Sequence, residues 1–219
     1  MEKKPSTIKN VRYRQFLDKG IIETINEADI IKVLDSIKAA RNVTKAMGRS
    51  FVILLYYTGA RPNELLQLDP SQFKREPNYL SVRVVGSKRG LPRTIYLPIN
   101  KQLVKELEGY VTSLPPGYKL FYGLANKSIR VRHNKAGQEK VTIDTTDKLR
   151  YYFKRWFDVL LEGGIPPYFL RHNRFSKLAE AGADLQDIRM IKGSRTFESV
   201  MPYLHMTKKT ALKVARKLD

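Results

Sequence analysis

"YLSVRVVGSKRGLPRTIYLP", residues 79–98, breaks the rhythm of the chain around it. Apolar and polar residues alternate on both sides of a Gly, Ser, Lys, Arg, Gly cluster, the period of a strand, so the stretch predicts a β-hairpin with a basic tip at Lys88 and Arg89. Upstream the spacing is helical. "NEADIIKVLDSIKAARN" sets Ile30, Ile31, Val33, Leu34 and Ile37 on one face, with Asn26 or Asp29 as cap. A second helix is predicted over Thr44–Thr58, ended by Gly59, and a third opens at "RPNELLQL", where Pro62 suits a first turn and Glu64 the positive helix end. Downstream, "NKQLVKELEGYVTSL" is helical and closed by "PPG", and "SIRVRHNKAGQEKVTI" reads as a second, strongly basic hairpin or an ordered loop. Helix is then expected over residues 144–161, broken by "GGIPP", over "YFLRHNRFSKLAEAG" up to Gly182, and over "ADLQDIRMIKG" between a cap at Asp184 and a stop at Gly193. "TKKTALKVARKLD" is a final basic amphipathic helix with Thr207 as cap. With no internal repeat or linker-like stretch, the expected fold is one mainly α domain with a small antiparallel β-sheet, an α+β arrangement.

The 219 residues can bury a sizeable core, and 42% hydrophobic with 10% aromatic residues describes a folded chain. The longest apolar run, "FVILLYY" at 51–57, is too short to span a bilayer, and "MEKKPSTIKN" lacks a signal-peptide stretch, so an intracellular, cytoplasmic protein with no membrane partner is expected. There are no cysteines, which excludes disulfides and thiolate metal sites, and His133, His172 and His205 show no metal-ligand spacing. No metal and no cofactor is therefore expected. Forty-one Lys and Arg against 21 Asp and Glu give a formal charge of +20, which self-repels unless a polyanion relieves it. Nucleic acid is the partner this suggests, and a small-molecule substrate is not. The charge is interleaved with Tyr122, Tyr151, Tyr152, Phe153 and Trp156, so it belongs to folded elements and not to a tail.

Three segments carry the chemistry. "YTGARPNELLQL" delivers Arg61 from a Thr-Gly turn to the start of a helix bearing Glu64. "YFLRHNRFSKLAEAGADLQDIRMIKGS" holds Tyr168, Arg171, His172 and Ser194, and "MPYLHM" holds Tyr203. Guanidinium forks match phosphate oxygens bidentately, and helix starts add backbone N–H groups for an anion. A phenol needs nearby positive charge or a base to react at neutral pH. On local sequence alone Tyr203 is a packing aromatic or a nucleophile, and the two arginines are ion-paired surface groups or a phosphate clamp.

In order and spacing these segments resemble the boxes of the tyrosine recombinase, or phage-type integrase, family. Arg61 and Glu64 match its first box. Arg171 and His172 match the second, a His-x-x-Arg-His pattern followed by a helix, an "AGAD"-like corner and a Leu-Gly-His turn. The family's tyrosine lies 32 positions after the second arginine, and 203 minus 171 is 32. Lys88 falls where the family keeps a hairpin lysine, five positions before Arg93. The resemblance runs from about residue 26 onward. It implies a site-specific recombinase or integrase in which Arg61 and Arg171 clamp the phosphate, Tyr203 forms a 3′-phosphotyrosyl link, and Lys88 protonates the leaving 5′-oxygen, without metal. The partners it implies are double-stranded DNA and further copies of the chain, monomeric when free and tetrameric on DNA.

Two positions depart from the family. Tyr168 stands where histidine is usual and Ser194 where histidine or tryptophan is usual; each can still offer a hydroxyl, with Arg195 adjacent as a further charge. Such replacements resemble those of integrases from archaeal viruses and plasmids. His172 is a support of the site or a core residue. The expected organisation is a basic arm or linker over residues 1–25 and a catalytic domain over 26–219, with no room for the family's separate core-binding domain. Two other functions fit the residues: strand resealing like that of a type IB topoisomerase, and a DNA-binding protein that keeps the fold without catalysis. The helix at 207–218 either bridges subunits or packs on its own domain.

Overall fold

A computed structural model describes residues 25–40, 42–86, 90–125, 128–134, 137–143 and 145–206. The expected arm over 1–25, the hairpin tip with Lys88, and the final helix lie wholly or almost wholly outside these residues. The first helix, α1 (Glu27–Ser36), starts in a capping box: the Asn26 side chain accepts from Asp29 N–H while Asp29 accepts from Asn26 N–H, which resolves the choice of cap in favour of Asn26. Thr44 caps α2 (Lys45–Thr58). Its run Phe51–Leu55 is buried on every side, so α2 is the central helix of the core and not an amphipathic surface helix. It packs against α1, against α4 (Gln102–Thr112) and against α7 (Tyr168–Glu180).

The helix expected at "RPNELLQL" is a single turn, α3 (Pro62–Leu65). Pro70 starts a 3-10 turn capped by Asp69, and the residue before a proline is steered away from helix, so no helix could run from α3 past Leu68. The hairpin at 79–98 forms as predicted, with β2 (Tyr79–Val84) pairing β3 (Arg93–Pro98) in the register Val84 to Arg93 and Tyr79 to Pro98. Leu80, Val82, Val84, Ile95 and Leu97 face the core, while Tyr79 and Tyr96 meet edge-to-face on the other side. A third strand, β1 (Phe73–Arg75), pairs antiparallel with β2; three residues are too few to show a period.

The basic stretch that read as hairpin or loop is a hairpin, β4 (Ser128–Asn134) with β5 (Gly137–Ile143). A one-turn helix, α5 (Tyr122–Ala125), precedes it. The next helix, α6 (Thr145–Trp156), is shorter than expected and tightens into a 3-10 turn at Phe157–Val159. After α7 comes α8 (Leu185–Lys192), capped by Asp184 as predicted. Tyr203 lies on a terminal 3-10 turn, Met201–Met206. Most buried apolar residues form one core, and Phe175, Ile188, Val200 and Tyr203 form a second, small one between α7, α8 and the terminal turn.

Candidate active site

The site begins where α2 stops. Thr58 Oγ1 donates to Leu54 O at 2.6 Å and accepts from Ala60 N–H at 3.1 Å, closing the turn. Gly59 ends the helix at φ 59°, a left-handed conformation, and a Cβ there would lie 3.1 Å from Arg174 Cγ and Phe175 Cζ. The turn aims the Gly59 carbonyl at Arg171 and sets Arg61 at the head of α3. Arg61 N–H and Nη1 donate to the two oxygens of Glu64, each at 2.9 Å. Glu64 is buried, and its Oε2 also accepts from Arg93 Nη2 at 2.8 Å. Burial pushes its carboxyl up, but the Arg93 hydrogen bond and charge, with the Arg61 groups, outweigh that and hold it below the usual carboxylate range.

Arg93 also donates through Nε to Ile191 O at 2.7 Å, and Leu91 N–H donates to Gly193 O at 3.1 Å, so the start of β3 is tied to the end of α8. Gly193 has φ 64°, and a Cβ on it would meet Arg93 Nη1 at 2.6 Å. A side chain here would strain the backbone and displace the Arg93 guanidinium.

Arg171 is 4% exposed. Its Nη1 donates to Gly59 O and its Nη2 to Lys192 O, the latter at 2.9 Å, while its guanidinium lies over the Phe175 ring at 4.9 Å. Burial and the neighbouring Arg61 push its pKa down to about 10, against the pull of Glu64. Tyr203 is 3% exposed, and its hydroxyl lies 3.0 Å from His172 Nδ1. Burial pushes the phenol up to about 12, with Arg171 opposing. Burial, Lys192 and Arg171 push His172 down to about 4, so its ring is neutral at pH 7, and in the tautomer that carries its proton on Nε2 the Nδ1 atom accepts a hydrogen bond from the Tyr203 hydroxyl.

The structure thus brings Arg61, Glu64, Arg171, His172 and Tyr203 together. Ser194 is buried, but its hydroxyl is engaged within its own turn, 2.6 Å from Ser199 Oγ. Arg195 is exposed, with its carbonyl held by Arg189. Tyr168 opens α7 nearly half exposed, and among the described residues no hydrogen bond joins it to Tyr203 or to either arginine. Lys88 lies outside the described residues.

The profile of the phage integrase family matches residues 23–210. The chain belongs to that family. Among curated relatives, this integrase chain is 25% identical over 193 residues to tyrosine recombinase XerA of Pyrococcus furiosus, a match covering 88% of the chain and 60% of XerA. It is 30% identical over 171 residues to tyrosine recombinase XerC of Pelotomaculum thermopropionicum, covering 77% of the chain and 53% of XerC. The integrase chain therefore spans only a little over half the length of these relatives. Its fold is similar to that of the XerH site-specific recombinase bound to difH substrate in a pre-cleavage complex, with TM-score 0.61 at 21% identity over 90% of the chain and 55% of XerH. It is likewise similar to the XerA recombinase crystal structure, with TM-score 0.57 at 18% identity over 88% of the chain and 62% of XerA.

Two side chains of the site escaped the sequence reading. Arg93 was placed on the return strand, without its bond to Glu64. Lys192, a basic residue in the last turn of α8, carries no role in that reading. Its signal was present: a charged residue occupies the first position of the turn that reads Leu-Gly-His in the family.

Proposed function

We propose that this chain is the catalytic part of a site-specific DNA recombinase that cleaves and rejoins strands through a 3′-phosphotyrosine at Tyr203. One observation carries the reading. Around the Tyr203 hydroxyl and its neighbours stand four cations, Arg61, Arg93, Arg171 and Lys192, against one carboxylate, Glu64, and a neutral His172. Such an excess, mostly buried, favours binding of an anion, and a phosphodiester is the anion that a +20 chain meets on DNA.

Arg171 uses two of its five N–H groups on main-chain carbonyls, which fixes the fork's direction and leaves the others for nonbridging oxygens. Arg61, braced by Glu64, is the second arm of the clamp. The phenolic proton leaves toward His172 as the Tyr203 Oη–phosphorus bond forms and the P–O5′ bond breaks. Lys88 protonates O5′, and attack by a 5′-hydroxyl reverses every step. The phosphotyrosine conserves the bond energy, so no metal or nucleotide is consumed. Tyr168, at the head of α7 three residues before Arg171, offers a hydroxyl to the DNA where the family carries histidine, and this replacement supports a relation to integrases of archaeal mobile elements. The chain acts as a monomer in solution and a tetramer on paired DNA sites.

A suicide DNA substrate, nicked so that cleavage cannot reverse, tests the reading. The expected product is a protein–DNA adduct that survives denaturation, forms in EDTA and carries a free 5′-hydroxyl. Tyr203→Phe abolishes it while leaving DNA binding intact, and Arg171→Ala suppresses it by about 10²-fold or more. An adduct that persists in Tyr203→Phe, or that maps to another tyrosine, overturns the assignment. DNA binding with no adduct from the wild-type chain would instead mark a non-catalytic DNA-binding protein.

A further inference from the structure

At the turn where the family reads Leu-Gly-His this chain reads Lys192-Gly193-Ser194. The exchange removes one ring and brings one ammonium. Lys192 is 9% exposed, and among the described residues no carboxylate pairs with it. A charge at that depth is unfavourable unless its surroundings compensate for it. What compensates is a hydrogen bond to Ser199 O and two aromatic rings, Phe175 at 5.9 Å and, the nearer of the two, Tyr203 at 4.8 Å, within cation–π range.

Resting on Tyr203 as nucleophile, we propose that Lys192 is a positioning residue of strand cleavage: its ammonium, seated on the Tyr203 ring, holds the phenol in place and supplies the positive charge that Ser194 does not. As Oη bonds to phosphorus and O5′ departs, the phenolic proton passes to His172 Nδ1 and O5′ takes the proton of Lys88. Lys192 makes and breaks no bond and keeps its proton throughout. The cation attracts the ring more strongly as the phenol gains negative charge, which favours the transition state through the phenol, while the same charge opposes the proton arriving on His172. Main chain and side chain divide the labour, since Lys192 O holds Arg171 whatever the side chain is.

The charge is conditional on pH. Burial, then Arg171 on α7 and Arg61 ahead of α3, push Lys192 down to about 8. The other titratable groups facing it are His172 on α7 and Tyr203 on the terminal turn, with Glu64 and Arg93 behind the arginines. A DNA phosphate adds negative charge and moves the loss of the proton upward.

The test uses a substrate with sulfur replacing the bridging 5′-oxygen at the scissile phosphate. The thiolate leaves without a proton, so Lys88 no longer shapes the rate. Lys192→Met is expected to slow adduct formation by roughly 10²-fold at pH 7, and Lys192→Arg to recover most of that loss. The wild-type rate should fall on the alkaline side as Lys192 deprotonates, and Lys192→Arg, which stays charged, should lack that fall. Lys192→Met at the wild-type rate overturns the proposal, as does Lys192→Arg that is equally slow or keeps the wild-type alkaline fall. Should Lys192→Met not fold, by its melting curve, Lys192→Arg decides alone through its alkaline limb. Loss of the nucleophile reading shows separately, as an adduct that survives Tyr203→Phe.

Discussion

His172 is the residue on which the acid side of the site turns. It is partly buried beside Lys192 and Arg171, and desolvation first, then those two charges, push it down to about 4 from the usual 6.5, so the unfolded chain binds a proton before the folded one does. Stability from this group is full above about pH 6.5 and is lost as pH falls from there toward 4. At 1.36 kcal/mol per unit the whole effect is at most about 3 kcal/mol, with about 2 kcal/mol lost between pH 7 and pH 5. Urea unfolding of the DNA-free chain at those two pH values should show that loss, and His172→Gln should lose less by about the same amount. Equal losses in the two chains would mean that His172 is solvated or charged when folded. The sequence offered His172 as support or core. The geometry places it half-buried, 3.0 Å from the Tyr203 hydroxyl, where desolvation keeps its ring neutral.

At the scale of elements, the joint that matters links α3, β3 and the end of α8. Glu64 is the shared acceptor of Arg61 and Arg93, and Arg93 reaches on to Ile191 O. Replacing Glu64 by Gln keeps the shape but leaves two cations, one of them with only 6% of its side chain exposed, without a counter-charge. Breaking a buried pair from one side costs about 3–5 kcal/mol. Arg75→Ala on β1, which removes the more exposed pair with Glu108 of α4, should cost less than about 1 kcal/mol. Thermal melts of the two variants check the contrast, and similar melting temperatures would deny Glu64 its role as the joint. Local order was legible wherever a cap or a period declared it: Asn26, Thr44, Gly59, Asp184 and Gly193 all mark helix ends, and the alternation in 79–98 is a hairpin. Illegible were elements whose cause is not local. Strand β1 exists because β2 offers it an edge, and Tyr203 lies in a 3-10 turn that the small second core holds. Spacing to a family pattern found Arg61, Arg171 and Tyr203, but it could not show that Lys192 packs on the tyrosine, a contact made across eleven residues by the fold of the last turn.

For the whole molecule, the charge of +20 is the term that no internal pairing removes. Among described residues it shows on the outer side of the three-stranded sheet, where Lys74, Arg83 and Tyr96 point away from the core, and on α6, where exposed Arg150 and Arg155 flank Tyr151, with Arg155 donating to its hydroxyl. Basic and aromatic groups spread over several elements suit a phosphate backbone, which is read by charge wherever it runs, better than a compact acidic ligand. Binding of this kind releases counter-ions, so log affinity should fall linearly with log salt, with a slope of about −0.9 for each phosphate met. A chain that meets about six phosphates then loses roughly a thousandfold between 50 and 200 mM salt. Fluorescence anisotropy with a labelled duplex at several salt concentrations measures the slope. Arg171→Ala should make the slope shallower by about one, as expected for one lost phosphate contact, and Glu180→Ala, on the far end of the same helix, should leave it unchanged. A flat salt dependence, or an Arg171→Ala slope identical to wild type, would mean that the buried guanidinium does not reach the phosphate and that the clamp must be sought elsewhere on the surface.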